Sequence, residues 1–317
     1  MNNSQLPLTE LGNRGIMVTR MGFGSAPIGN SAHVSEAQAI ATIHYALEQG
    51  INLFDTAPLY GAGRAEKLLG MALEGVPRSQ FVLSTKVGRL VEGRSPGQEL
   101  PFNYSREGVL RSIDESLQRL KLDQIDLLLI HDPDNHPNEA LNEAFPTLAE
   151  LRSQGVIRGI GAGMNQWQML QRFAQEADFD FFLLAGRYTL LEQTSLDFLE
   201  LCRSKGIGIL LGGVFNSGIL AMGPVQGATY NYAPAPPAIM EKTAAIAAIC
   251  AKHGVALNAA AIQFAQAHPA VTSLVLGAIH PDEIAANLAA RQLQLPPALW
   301  DDLLEAGLIE ADAPLPS

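Results

Sequence analysis

Two cysteines, Cys202 and Cys250, are all that 317 residues supply, and both fall in apolar, helix-like stretches. Two are too few for a disulfide framework, so they read as small core residues of a protein in a reducing compartment. Positive charge is scarce as well: 21 Lys and Arg stand against 32 Asp and Glu, for a formal net charge of -11. That balance argues against a broad basic face, and so against a nucleic acid or an anionic membrane as partner. It also disfavours a highly anionic substrate unless a local basic pocket intervenes. No stretch approaches the roughly 20 uncharged apolar residues that span a bilayer. The opening residues, "MNNSQLPLTELGNRG", are polar and hold no apolar run of signal-peptide length. A cytoplasmic location is therefore expected.

What is present is a repeated alternation. Short apolar runs predict strands at Met21 to Gly24, Ile51 to Asp55, Phe81 to Lys86 and Ile125 to His131, then at Val156 to Ala162, Phe179 to Ala185, Ile207 to Leu211 and Ser273 to Leu276. Helical spacing fills the intervals: Ser35 to Gln49, Arg64 to Leu73, Ser105 to Leu120, Asn138 to Gln154, Gln166 to Glu176 and Thr194 to Lys205. Ala238 to Lys252 with Asn258 to Ala267, and Pro281 to Leu288, complete the series. Strand then helix, about eight times, predicts a parallel sheet with helical crossovers. Eight repeats favour a closed (β/α)8 TIM barrel over an open doubly wound sheet.

"LPLTELGNRGIMVTRMG" predicts a β-hairpin, turning at Asn13-Arg14-Gly15, ahead of the barrel. The long connection "GGVFNSGILAMGPVQGATYNYAPAPPA" from Gly212 has the length of a functional lid or an insertion. No linker or charge run divides the chain, so residues 1–317 are expected to form one domain, of the size such barrels reach.

"NLFDTAPLYG", from Asn52 to Gly61, ends an apolar run on a carboxylate, Asp55, and sets Tyr60 among glycines just beyond it. "FVLSTK" likewise ends on Lys86 and "IDLLLIH" on His131. Each has an ordinary alternative: Asp55 as a turn cap, Lys86 snorkelling outward, His131 as a satisfied core residue, Tyr60 as a plug. In a parallel barrel, however, all strand C-termini open on one face, which brings the four together. Asp55 then neutralises a buried Lys86, and Lys86 is expected to lower the pKa of the Tyr60 phenol from its usual value near 10. A phenol so tuned is a general acid or base, with His131 orienting a substrate oxygen. Such a pocket moves a proton on an alcohol or carbonyl, and another agent must carry the electrons. "HDPDNH" also admits a metal reading through His131, Asp132, Asp134 and His136, but the spacing fits no closed metal template, so no metal is expected.

"LFDTAPLYGAGRAEKLLGMAL", "LSTKVG" and "IDLLLIHDPD" together resemble the aldo-keto reductase family over essentially the whole chain, in order, spacing and flanking residues. The resemblance implies an (α/β)8 barrel, a nicotinamide cofactor bound without a Rossmann domain, and a catalytic tetrad that falls on Asp55, Tyr60, Lys86 and His131. It places Asn165 against the nicotinamide carboxamide, Phe215 with the cofactor as a substitute for the family's stacking aromatic, and Gly213, Asn216, Ser217 and Gly218 along the pyrophosphate, where small residues admit close backbone approach. Gly277, Glu283 and Asn287 fall in the run that follows the last strand, where the adenosine end belongs.

The chain departs from the family's pattern in three places. The common Gln of the sixth strand is replaced near Ala185, and the aromatic that stacks on nicotinamide is replaced near Gly212. Where many members carry an Arg for the 2′-phosphate of NADPH, this chain has Pro281, Asp282 and Glu283. Two acids facing that phosphate would each cost on the order of 1 kcal/mol, whereas acids suit a ribose 2′-hydroxyl. NAD is therefore expected over NADP, although both acids also suit a helix start.

"AGRYTLL" with "GGVFNSGIL" resembles the sugar-dehydrogenase branch, the D-threo-aldose 1-dehydrogenases of the L-fucose, L-galactose and D-arabinose type. That implies oxidation of the anomeric hydroxyl of an unphosphorylated aldose to the lactone. Pyridoxal 4-dehydrogenase shares similar motifs, so oxidation of pyridoxal or reduction of small aldehydes is the alternative. A cofactor-sensing, non-catalytic subunit is the alternative of another class, and no tail or exposed apolar stripe favours it. Asn30, His33, Arg89 and Asn103 are candidate substrate contacts at the barrel mouth. The sequence leaves the oligomeric state open.

Overall fold

In the computed structural model, which describes residues 6–316, eight parallel strands close into a barrel. They are Met21–Gly24, Leu53–Asp55, Val82–Val87, Leu127–His131, Gly159–Met164, Phe181–Ala185, Gly208–Gly212 and Val271–Gly277. Each pairs with its sequence neighbours, and the last pairs with the first, Leu274 opposite Met21. Helices cover the outside, so the strands are buried on both faces and read as continuous apolar runs.

Strand period decides which residues face inward. Leu53, Val82, Leu127 and Leu129 belong to the cluster that fills the barrel interior, while Phe54, Leu83, Leu128 and Ile130 pack in the layer against the helices. Continuing that alternation sends Asp55, Ser84, Lys86 and His131 inward, at the C-terminal end of the barrel. The expected hairpin forms from Leu8–Glu10 and Met17–Thr19, antiparallel. Its Leu11, Ile16 and Val18 join the interior cluster and plug the opposite end.

The helices form where sequence signals place them. Ser35 and Ser105 cap Glu36–Glu48 and Arg106–Leu120, accepting from the backbone N–H of Gln38 and Gly108. Arg64–Leu73 packs on Arg106–Leu120 at Gly70, where a Cβ would lie 2.3 Å from the Leu120 carbonyl oxygen. The helix predicted at Asn138 to Gln154 is broken instead. A π-turn, Ala140–Ala144, separates Pro137–Glu139 from Phe145–Ser153. Pro146 has no N–H to continue an α-helical ladder, and the Phe145 N–H bonds back to the Ala140 carbonyl.

Five further elements were not expected: helices Ala26–Asn30, Ile219–Met222 and Pro297–Glu305, a single 3-10 turn at Arg78–Gln80, and a small hairpin of Thr229–Tyr230 with Ala233–Pro234. No single helix among the described residues is long and apolar enough to cross a membrane.

Candidate active site

The Asp55 carboxylate is 2 % exposed, and both its oxygens are engaged. Oδ2 accepts from Lys86 Nζ at 2.7 Å and Oδ1 from the Ser84 hydroxyl at 2.9 Å. Lys86, equally buried, directs its two other donors to the Thr56 carbonyl at 2.9 Å and the Tyr60 hydroxyl at 3.1 Å. The buried acid thus pairs with a buried ammonium whose hydrogen-bonding capacity is filled, the condition under which such a pair is tolerated.

Tyr60 reaches Lys86 from a loop fixed on its far side. The Gly61 N–H donates to Asn30 Oδ1 at 2.8 Å, and Gly61 itself has φ 63°, with the Gly29 carbonyl only 2.2 Å from where a Cβ would stand. His131 closes the group, its ring edge-on to Tyr60 with centroids 6.0 Å apart.

Three opposed influences set the charges. Burial draws the Lys86 ammonium down, but Asp55 and Tyr60 more than reverse this, and its pKa is raised. Burial, with Lys86 and Arg89 adding like-charge repulsion, holds His131 neutral well below the usual histidine range. The expectation for Tyr60 is corrected. Burial pushes the phenol up and outweighs the opposing charge of Lys86, while Asp55 and Asp132 push in the same direction as burial. Its pKa is therefore raised above 10, and Tyr60 is a phenol at neutral pH.

A cleft of about 400 Å³ runs from Asp55 and Tyr60 across the barrel mouth. Asn165, Gly213, Phe215, Asn216, Ser217, Gly218 and Gly277 all line it, as do Ala185 and Gly212. Its walls are kept thin where they meet: a Cβ on Gly213 would lie 2.8 Å from the Gly186 nitrogen, and one on Gly277 2.5 Å from Pro27 Cγ. Asn165 Nδ2 donates to the Ala185 carbonyl at 3.1 Å, which fixes the amide at the wall. The Asn216 side chain is spent internally, accepting from Thr189 Oγ1 and donating to the Gly186 carbonyl, and its backbone N–H bonds to the Gly213 carbonyl at 2.9 Å, so the residue shapes the cleft wall. A glycine-walled cleft that reaches Asp55 and Tyr60 is a ready site for a small-molecule ligand beside the buried lysine pair.

Two residues placed with the cofactor lie outside that lining. Glu283 accepts from the Ile279 N–H at 2.9 Å, in the first turn of helix Pro281–Gln292, and Asn287 is buried in the same helix. Among the candidate substrate residues, Asn30 holds the Tyr60 loop as above. Asn103 accepts from the Ser105 backbone and hydroxyl at a helix start, and His33 is exposed, its N–H on the Ser31 hydroxyl. These are local roles. Arg89 alone stands at the tetrad, donating to Asp132 Oδ2 at 2.9 Å with its guanidinium 4.1 Å from the Phe102 ring centre.

The residues of "HDPDNH" diverge. His136 packs among Phe102, Tyr104 and Glu139, and among the described residues no three His, Cys, Asp or Glu side chains gather as a metal cage. The sequence reading missed Asn231 and Tyr232, which line the cleft from the tip of the small hairpin. The Gly/Pro/Tyr-rich connection after Gly212 was their only signal.

Residues 20–306 match the aldo/keto reductase family. The chain is 40% identical to a D-threo-aldose 1-dehydrogenase of a Pseudomonas species, over 93% of this chain and 96% of that protein. It is 40% identical to a pyridoxal 4-dehydrogenase of Microbacterium luteolum, over 94% and 97%. Its fold is similar to that of the holo form of the aldo-keto reductase AKR11C1 from Bacillus halodurans, with a TM-score of 0.82 and 98% of each chain covered at 24% identity. Barrel, buried lysine pair and matched residues converge: this chain is a member of the aldo/keto reductase family.

Proposed function

We propose that this oxidoreductase oxidises the anomeric hydroxyl of an unphosphorylated aldose to the lactone, with NAD as the acceptor. The observation that carries the reading is Lys86 Nζ, hydrogen-bonded at once to Asp55 and to the Tyr60 hydroxyl at the end of the cleft. The similarity to the D-threo-aldose 1-dehydrogenase supplies the substrate class. Enzymes of this family use NAD(P)H, and the nicotinamide, when bound, takes up or gives the hydride at the substrate carbon.

The chain's own residues handle the proton. The reacting oxygen sits between the Tyr60 hydroxyl and the His131 ring, within hydrogen-bond reach of both. In oxidation Tyr60, as phenolate, takes the hydroxyl proton; in reduction, as phenol, it returns one to the carbonyl oxygen. Lys86 offsets the phenolate charge as it forms, and Asp55 keeps the ammonium charged and aimed. His131, neutral, can donate from Nε2 to the same oxygen and hold it against Tyr60.

Asn165, Phe215 and the backbone from Gly213 to Gly218 hold the dinucleotide in this reading, and Gly277 gives its adenosine half room. Asp282 and Glu283 at the start of the following helix favour a 2′-hydroxyl over a 2′-phosphate. The expected result is a higher kcat/KM with NAD than with NADP, and a clear NADP preference would contradict it.

A second reading rests on the equal identity to the pyridoxal 4-dehydrogenase, whose name places the same kind of oxidation on pyridoxal. An NADH-formation screen with L-fucose, L-galactose, D-arabinose, L-xylose, D-glucose and pyridoxal separates the two. Turnover of an aldose with little on pyridoxal supports the first reading, and the reverse pattern replaces it.

A further inference from the structure

Asp132 follows His131 directly, and neither the tetrad nor the cleft accounts for it. It is a non-glycine residue in the left-handed region, φ 46°, a conformation that costs energy and persists only where its surroundings hold it. They do so from both sides. The Asp132 N–H bonds to the Gly163 carbonyl at 3.0 Å, and the Tyr104 hydroxyl donates to the carbonyls of both His131 and Asp132, at 2.6 and 3.1 Å.

This backbone turn aims the carboxylate back toward the reaction centre. Asp132 Oδ2 lies 3.7 Å from His131 Nε2, too far for a hydrogen bond but close enough for both to touch one small molecule. The side chain is 27% exposed, so it keeps an open face, while Arg89 at 2.9 Å keeps it oriented. A carboxylate is acceptor-only and takes hydrogen bonds from hydroxyl groups.

We propose that Asp132, held by Arg89, accepts a hydrogen bond from the hydroxyl on the carbon next to the reacting one, and so selects α-hydroxy aldehydes and the sugars that contain them. The assignment rests on the reading that the substrate oxygen sits on Tyr60 and His131. With Asp132 Oδ2 3.7 Å from His131 Nε2, a substrate whose reacting oxygen is bonded to that nitrogen can bring its vicinal hydroxyl within hydrogen-bond reach of the carboxylate. A carbonyl compound lacking that hydroxyl gives up this hydrogen bond, and a site that hydrogen-bonds a substrate hydroxyl discriminates against the analogue without it.

The test compares lactaldehyde with propanal, which differ only in that hydroxyl, as substrates for reduction with NADH and with NADPH. The wild type is expected to prefer lactaldehyde at least tenfold in kcat/KM, and Asp132→Asn is expected to bring that ratio near unity. A role confined to holding the loop would slow both substrates alike and preserve the ratio, which overturns the assignment. Equal use of both aldehydes by the wild type overturns it without any variant. Turnover of neither would count against the reaction centre itself, and the assignment falls with it. Discrimination between the aldehydes in a protein that oxidises no aldose would leave Asp132 in place while removing the sugar 1-dehydrogenase reading.

Discussion

Lys86 and Asp55 are each almost wholly enclosed, so neither tolerates the loss of the other. Lys86→Met leaves a carboxylate with only the Ser84 hydroxyl for company, and breaking a buried pair in this way costs about 3–5 kcal/mol. Urea unfolding should show a loss of that size, and the double variant Asp55→Asn/Lys86→Met should recover a good part of it. A single-variant loss under about 1 kcal/mol would mean that the pair is not closed in solution.

The raised pKa of Tyr60 gives a second expectation. Carbonyl reduction needs the phenol, so kcat/KM in that direction should hold across neutral pH and fall on the alkaline side. Alcohol oxidation needs the phenolate and should climb as pH rises over the same range. A reduction rate that already fell below pH 8 would mean that Lys86, not burial, dominates.

The pairing of Asp55 with Lys86 was legible in the sequence because a polar residue interrupts an apolar strand only where something compensates it. The sign of the Tyr60 shift was not, because desolvation depends on depth and sequence does not give depth. Nor were the local bonds of Asn30, Asn103 and His33 legible, for a related reason: in loops, polar side chains bond their own backbone neighbourhood, and sequence does not give which neighbour.

Between elements, contact distances were the part the sequence withheld. The strand–helix alternation was legible in the apolar runs and the N-terminal hairpin in its Asn13-Arg14-Gly15 turn, and Ser35, Gly206 and Ser105 mark helix ends as their chemistry predicts. The break before Pro146 could have been read from that residue's missing donor, whereas the short elements after Gly212 have no periodicity to read.

Gly70 shows what periodicity conceals. The methyl of Gly70→Ala would have to displace the backbone of Leu120, so the helices Arg64–Leu73 and Arg106–Leu120 must part. A loss of about 1–3 kcal/mol in chemical unfolding is expected, and a gain would mean that the two helices sit further apart. Gly277→Ala bears on the cleft instead. Its Cβ would meet the ring of Pro27 and push the two cleft walls apart, and the expected outcome is a several-fold higher KM for the nicotinamide nucleotide.

At the scale of the whole molecule, buried neutral histidines tie the fold to pH. His268 accepts from the Ala270 N–H through Nδ1, and burial lowers its pKa from 6.5 to about 4, while His131 is held low at the active site. Both bind protons more readily when unfolded, so their contribution is complete above about pH 6.5 and is lost as pH falls toward 4. The melting temperature should decline across that window, and His268→Asn, which keeps an acceptor without a titrating group, should flatten part of the decline.

The account as a whole depends on Tyr60 moving the proton while hydride leaves the adjacent carbon. The most direct test is Tyr60→Phe, assayed for NADH formation with the best aldose of the screen and for NAD binding by fluorescence. Turnover should fall about 10²–10⁴-fold with NAD affinity close to wild type. A variant that turns over at the wild-type rate would contradict the mechanism and leave the Lys86–Tyr60 contact without a chemical role.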